Sequence, residues 1–135
     1  MKRVLSVSDE FDFSILGISC HAKDYRLFWE VNQCLGIDLE KNTVKKEDEE
    51  SEFFVAGAAF YDQEKHLDYL LLQNKTKQGL LVPEHAHLDY FLRLEGPQHD
   101  LEIADCRAKL QSLDMVLALV ELLPEKLKSR KNLIF

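Results

Sequence analysis

Residues that could bind a metal ion or transfer a proton are concentrated around one proline in the middle of the chain. They are Glu84, His85, His87 and Asp89, which follow Pro83, and His66 and Asp68 slightly earlier in the sequence. Side chains alternate between the two faces of an extended strand, so His85, His87 and Asp89 would project from one face. Two imidazoles and one carboxylate in that arrangement can ligate a divalent transition metal. A metal-dependent enzyme built on these three residues is therefore one hypothesis for the function.

The same residues also fit the solvent-facing side of a half-buried strand, and we favour this simpler interpretation. Leu88 and Tyr90 would then enter the core from the opposite face. Proline cannot donate to a sheet ladder, so we expect a bulge, an edge or a change of strand at Pro83. Glu84 and Asp89 would accept the backbone N–H groups that this interruption leaves unpaired. We accordingly expect neither a metal site nor a cofactor.

Other catalytic signatures are missing from the sequence. It contains no GxSxG elbow, no P-loop, no GxGxxG and no HExxH. The three cysteines, Cys20, Cys34 and Cys106, lie far apart in apolar segments, which predicts buried free thiols in a reducing compartment. The sequence therefore favours a protein without enzymatic activity and leaves the question of an activity open.

The spacing of apolar residues predicts one α+β domain over residues 1–135. Helices are predicted over residues 23–35, with Gly36 as the terminator, and over 99–113. Strands are predicted over residues 3–7, 13–20, 37–41, 53–61, 67–73, 80–82, 88–94 and 115–123. The last of these is apolar except for Glu121 and is predicted as an interior strand buried on both faces. The polar stretch 42–52 is predicted as a solvated loop.

This element order predicts two layers, with two helices on one face of a mainly antiparallel sheet. We interpret it as a ferredoxin-like fold with an extra hairpin, similar to the ACT domain. Gly17 in the first long strand should allow a neighbouring backbone to approach closely. Residues 125–135 form a tail that is basic and then apolar. We expect the tail to dock on its own domain or on a second subunit, because Leu133, Ile134 and Phe135 gain by burial.

The segment Val82–Tyr90, here called the signature segment, resembles the motif of the bacterial IPExxxVDY family. The matching letters are Pro83, Glu84, Asp89 and Tyr90, with Val82 and Leu88 as conservative replacements for Ile and Val. Two further stretches resemble members of this family, Asp24–Leu27 and Lys128–Phe135. The resemblance implies no activity, cofactor or substrate, because none is assigned to the family. It marks the four matching residues as candidate binding residues whose first role is structural.

Charge and hydropathy narrow the remaining functional classes. The net charge of −7 disfavours attachment to nucleic acid or to anionic membranes, although the basic tail keeps an RNA-associated factor as an alternative. The longest apolar run, residues 115–120, is too short to span a membrane, and we expect a cytoplasmic protein. The leading hypothesis is a binding or adaptor domain that acts through protein contacts as a homodimer. An ACT-like sensor of a small molecule, with a polar pocket at a dimer interface, is the second.

Overall fold

The strands and helices were located in a computed structural model, which describes residues 12–47 and 52–135. These residues contain two α-helices, α1 (Asp24–Leu35) and α2 (His99–Leu110). The strands are β1 (Ser14–Cys20), β2 (Glu40–Glu47), β3 (Glu52–Asp62), β4 (Leu67–Gln73), β5 (Lys75–Thr76), β6 (Gly79–Leu80), β7 (Tyr90–Glu95) and β8 (Val116–Leu122). Short 3₁₀ helices cover Pro83–His85, Pro124–Lys126 and Arg130–Leu133. The strand predicted over residues 3–7 lies outside the described residues.

The main sheet has six strands in the order β2-β3-β4-β7-β1-β8, and every neighbouring pair is antiparallel. Strands β5 and β6 pair with each other as a small separate hairpin. The predicted α+β class, with a mainly antiparallel sheet and two helices, is therefore confirmed. The ferredoxin-like arrangement stays a prediction.

Both helices pack on one face of the sheet. The side chains that meet there come from alternate positions of β1, β4 and β7 and from the inner stripe of each helix. They include Leu16, Ile18 and Leu92 from the sheet, Leu27 and Val31 from α1, and Ile103 and Leu110 from α2. Helix α1 ends where predicted, at Gly36 with φ 67°, and the N–H of this residue donates to the carbonyl of Asn32 at 2.9 Å.

The opposite face of the sheet is covered by irregular chain. Its buried cluster contains sheet residues such as Ile15, Leu72 and Phe91. They are covered by Leu81, Val82 and Leu88 and by Leu127 and Leu133 of the tail, residues 125–135, also called the C-terminal segment below. Leu133 is fully buried against its own domain, whereas Phe135 is 41% exposed. The tail thus closes the second face of the sheet, which the two-layer prediction left open.

Two predicted boundaries are wrong at β2. The strand occupies Glu40–Glu47, so only its first two residues lie in the predicted strand and the other six lie in the stretch predicted as a loop. Residues 37–39 precede it without strand structure. An edge strand needs only its backbone ladder with one neighbour, so polar residue types do not prevent it from forming. The Asn32 side chain binds both the N–H and the carbonyl of Leu39, which fixes the connection from α1.

Strand β8 follows α2 as a separate strand, as predicted, but the prediction of an interior position is wrong. Within residues 12–47 and 52–135 it pairs with β1 alone, and its side chains are mostly exposed or half-buried. Leu117, for example, is 56% exposed. A mainly apolar strand pattern does not distinguish a buried strand from an edge strand with apolar side chains in solvent.

None of the described helices is long and apolar enough to cross a membrane.

Candidate functional site

The signature segment folds into a tight turn before β7. Pro83 begins a 3₁₀ helix that ends at His85, a position where its fixed φ and missing N–H are tolerated. The rings of His85 and His87 stand beside each other, with centroids 5.8 Å apart. Because these residues are not on an extended strand, the predicted projection of His85, His87 and Asp89 from one strand face is wrong.

The other residues of the metal hypothesis lie at the far end of the sheet. His66 immediately precedes β4, and Asp68 pairs with the last residue of β7, whereas Asp89 precedes the first residue of β7. Among the described residues, no three His, Cys, Asp or Glu side chains come together. The structure therefore gives the hypothesis of a metal-dependent enzyme no geometric support.

Asp89 joins the end of β1 to the start of β7. Its Oδ2 accepts the backbone N–H of Cys20 at 2.9 Å, and its own N–H donates to the carbonyl of Ile18 at 2.8 Å. A charged acceptor makes a stronger hydrogen bond to a backbone N–H than a neutral one. The carboxylate thus accepts a backbone N–H, as predicted, but the group belongs to β1 and not to the chain beside Pro83.

Asn74 holds the signature segment in its turn. Sequence reasoning placed this residue in a polar turn and did not identify its role. It is 1% exposed. Its side-chain nitrogen donates to the carbonyls of His85 and Leu88 at 3.1 and 2.8 Å, and its Oδ1 accepts the N–H of Val82 at 2.8 Å. One buried amide therefore satisfies backbone groups at both ends of the turn.

Glu84 binds the C-terminal segment and not the groups next to Pro83. Its Oε2 and Oε1 accept the N–H and the hydroxyl of Ser129, each at 2.9 Å. Partial burial acts to raise the pKa of Glu84, but hydrogen bonds from Ser129 and its neighbours outweigh it and hold the pKa below its ordinary value. Asn132 adds a bond from its side chain to the carbonyl of Leu81 at 2.8 Å. Two of the three stretches that carry the family resemblance are thus in direct contact.

A buried arginine fastens the same C-terminal segment to the sheet. The Nη1 of Arg93 donates to the carbonyl of Leu133 at 3.0 Å, and its guanidinium lies 5.3 Å from the ring centre of Phe13. The Nη2 forms an ion pair with Glu95 at 3.3 Å. Burial lowers the pKa of Arg93, and the negative charges of Glu95 and Asp68 oppose that shift. Periodicity alone placed Arg93 on a strand without indicating its partners.

A Ser–His–Asp chain of hydrogen bonds lies where β1 begins. The Nδ1 of His99 is 2.6 Å from the hydroxyl of Ser14, and its Nε2 is 2.9 Å from Oδ1 of Asp12. These residue types match the triad of serine hydrolases. Ser14 is only 9% exposed, however, and a nucleophile must reach its substrate. We assign the chain a structural role, in which it fastens the first turn of α2 to β1.

A cleft of about 670 Å³ opens between the signature segment and the first turn of α1. Its polar lining comes from the ends of β1 and β4 and from the start of β7: His21, Lys23, Gln73, Lys75, Asp89 and Tyr90. Pro83 and Glu84 do not line this cleft and instead face Ser129 and Asn132. The four candidate binding residues are therefore divided between a polar cleft and a contact with the C-terminal segment.

Tyr90 lines the cleft with a side chain that is otherwise in the core. It is 4% exposed, and its ring meets that of Phe28 edge to face with centroids 6.3 Å apart. Burial raises the pKa of Tyr90 to about 12, and the nearby ionisable groups Cys20, Asp24 and Asp89 add to the shift. The phenol is therefore neutral at physiological pH. Within the described part of the chain no protein group bonds its hydroxyl.

Comparison with known protein families identifies no family for this chain, because no family model matches. No curated protein sequence matches the chain either. Membership of the IPExxxVDY family stays a prediction, carried by the residues of the signature segment and the two stretches that accompany it.

We expect Glu84→Ala and Asp89→Ala each to lower the free energy of unfolding by about 1–2 kcal/mol, with Glu84→Ala at the lower end because its carboxylate is solvent-screened. Chemical denaturation measures both values, and Glu125→Ala, at an exposed glutamate of the C-terminal segment, is the control. A carboxylate with a lowered pKa stabilises the fold above its ordinary pKa. The effect of Glu84→Ala should therefore be present at neutral pH and disappear as the pH falls through the lowered pKa. An undiminished effect in acid would contradict the assignment.

Proposed function

We propose that the protein is a homodimeric binding domain that acts through protein contacts, and that the outer edge of β8, which pairs with no second strand among the described residues, forms its dimer interface. The observation that carries this proposal is the difference between the two edges of the main sheet. An edge strand presents unpaired N–H and C=O groups, which pair with any suitable strand unless charged residues, prolines or bulges prevent it. Strands β2 and β8 differ in whether their residue types prevent such pairing.

Strand β2, at one edge, carries the residue types that protect an edge. Five of its eight residues are charged: Glu40, Lys41, Lys45, Lys46 and Glu47. Strand β8, at the other edge, has one charged residue among seven, Glu121, and contains neither lysine nor proline. Lysine is the residue most often used to keep edges apart. The charged residues of β2 therefore protect its edge of the sheet, here called the guarded edge, from pairing. The edge at β8 lacks this protection and is suited to pairing.

The exposed side chains of β8 also favour a partner strand. Leu117 and the following Leu123 are 56% and 50% exposed, and Ala118 is exposed as well. A register shift opposite Ser19 and Cys20 leaves Leu117 outside the ladder with β1, while residues 118–122 pair regularly. An antiparallel pairing of this segment with itself, about a two-fold axis, satisfies the free edge groups of both copies.

Three features support an adaptor role in the cytoplasm for such a dimer. Tyr25 and Trp29 lie four residues apart on one side of α1 and are 68% and 59% exposed. Tyrosine and tryptophan dominate binding hot spots, so this surface suits a second protein. The free thiols and the acidic net charge support a reducing aqueous compartment. We also propose a ferredoxin-like arrangement for β4-β7-β1-β8, with β2 and β3 as the extra hairpin, and membership of the IPExxxVDY family.

The proposal predicts that the purified full chain has twice its monomer mass in size-exclusion chromatography with light scattering. The double variant Leu117→Lys/Ala118→Lys should be monomeric, because both side chains are exposed in the single chain. Its denaturation midpoint should equal that of the wild-type chain diluted until the dimer dissociates. Thr43→Lys, at an exposed position of the guarded edge, is the matched control and should remain dimeric. A monomeric wild-type chain would contradict the proposal, as would a double variant that stays dimeric.

A further inference from the structure

We propose that the cleft beside the signature segment binds a free α-amino acid, through groups that recognise both its carboxylate and its ammonium. This site is separate from the β8 edge and does not depend on dimer formation. Its lining combines an accessible hydroxyl, a carboxylate with one free oxygen and two lysines, which come from three separate parts of the sequence. Contacts among the described residues leave each of these groups able to bind a ligand.

The Tyr90 hydroxyl is the first of these groups. Tyr90 is 4% exposed as a whole residue, and it lines the cleft. No group among the described residues bonds its oxygen. Among those residues the fully buried side-chain atoms without a partner are Nε of Arg93 and Nε of Arg107, so the Tyr90 oxygen is reached by solvent from the cleft. A ligand in the cleft can therefore bond it. The neutral phenol can donate to a carboxylate oxygen of the ligand.

The carboxylates of the cleft differ in what they already bind. Asp24 is occupied, because its Oδ1 accepts the N–H of Tyr25 at 2.7 Å and its Oδ2 lies 3.8 Å from the Lys41 ammonium. Among the described residues, the only side-chain bond of Asp89 is made by Oδ2, which accepts the N–H of Cys20. Its Oδ1 remains available to accept a hydrogen bond from an ammonium group.

The cations of the cleft are Lys23, at the entry to α1, and Lys75, at the start of β5. Both side chains are exposed, and neither forms an ion pair among the described residues. Two free ammonium groups attract a carboxylate, while the free oxygen of Asp89 repels a ligand that is purely anionic. A zwitterion satisfies both conditions, and Leu80 and Ala86 provide an apolar wall for a side chain.

The test is a titration of the ¹⁵N-labelled full chain with each standard α-amino acid, followed by amide chemical shifts. At least one amino acid should shift the amides of residues 20–24, 73–75 and 86–90 in a saturable way. The corresponding amino-acid amide and N-acetyl derivative, which each lack one of the two charges, should bind at least about tenfold more weakly. Equal binding of these derivatives would overturn the proposal, as would saturation by inorganic phosphate alone or the absence of any saturable shift.

Tyr90→Phe separates binding from folding. Its hydroxyl bonds no described protein group, so the denaturation midpoint should not fall, whereas the affinity for the amino acid should fall about tenfold. Tyr61→Phe makes the same change at an exposed tyrosine outside the cleft, next to His66, and should leave the affinity unchanged. Lys75→Gln should weaken binding and preserve the fold. Wild-type affinity in Tyr90→Phe would show that the cleft does not bind ligand through this hydroxyl and would overturn the assignment.

Discussion

The variant Leu133→Ala should lower the free energy of unfolding by about 2–4 kcal/mol, although this residue lies only two positions from the end of the chain. Leu133 is fully buried in the cluster on the second face of the sheet, and its carbonyl accepts the bond from Arg93. Truncation to alanine removes apolar contacts and leaves a cavity that the rigid sheet fills poorly. The C-terminal segment would thereby be shown to complete the core.

Chemical denaturation measures this loss, and Leu101→Ala is the matched control. Leu101 is 65% exposed on α2, so the same change there should alter stability by less than about 0.5 kcal/mol. If both variants were equally stable, the C-terminal segment would not be packed on the sheet in solution. The contact between Glu84 and Ser129, which requires that packing, would then not form either.

The second large effect is expected where the signature segment meets β1. Leu88→Ala should cost about 2–5 kcal/mol, because this side chain is 1% exposed. Gly17→Ala should cost about 1–3 kcal/mol, since a Cβ at this position would clash with Cδ1 of Leu88. The close approach predicted at Gly17 is thus made by a side chain and not by a backbone.

A double-mutant cycle tests this contact. With Leu88 shortened, the methyl group of Gly17→Ala occupies vacated space, so the double variant should lose less stability than the two single losses combined. Equilibrium denaturation of the four proteins gives the coupling energy. Strictly additive losses would show that Leu88 does not cover Gly17, and that the signature segment is not anchored on β1 as described.

The parts of the fold that the sequence predicts well are those with a strong local signal. Helix α1 has an apolar stripe at helical spacing and a glycine that can adopt the left-handed conformation of its cap. Strands β1, β4 and β7 contain the apolar residues of a sheet covered on both faces. The existence of β8 as a separate strand also followed from its β-branched residues and from the break before it.

The parts that could not be predicted depend on partners far away in the sequence. Strand β2 is held by its ladder with β3, which polar residue types do not reveal. The carboxylate of Glu84 meets Ser129 across 45 positions, and Ser14 meets His99 across 85. The signature residues were identified as a group, but only the fold shows that Asp89 and Tyr90 line a cleft while Glu84 holds the C-terminal segment.

Amide hydrogen exchange along β8 tests the proposed dimer most directly, because it reports on the edge groups themselves. Among residues 118–122, the N–H groups that point away from β1 should be protected at high protein concentration and should exchange rapidly on dilution. The outward N–H groups of β2, on the guarded edge, serve as an internal control and should exchange rapidly at both concentrations. Rapid exchange of the outward β8 amides at every concentration would contradict the account, and so would protection that dilution does not change.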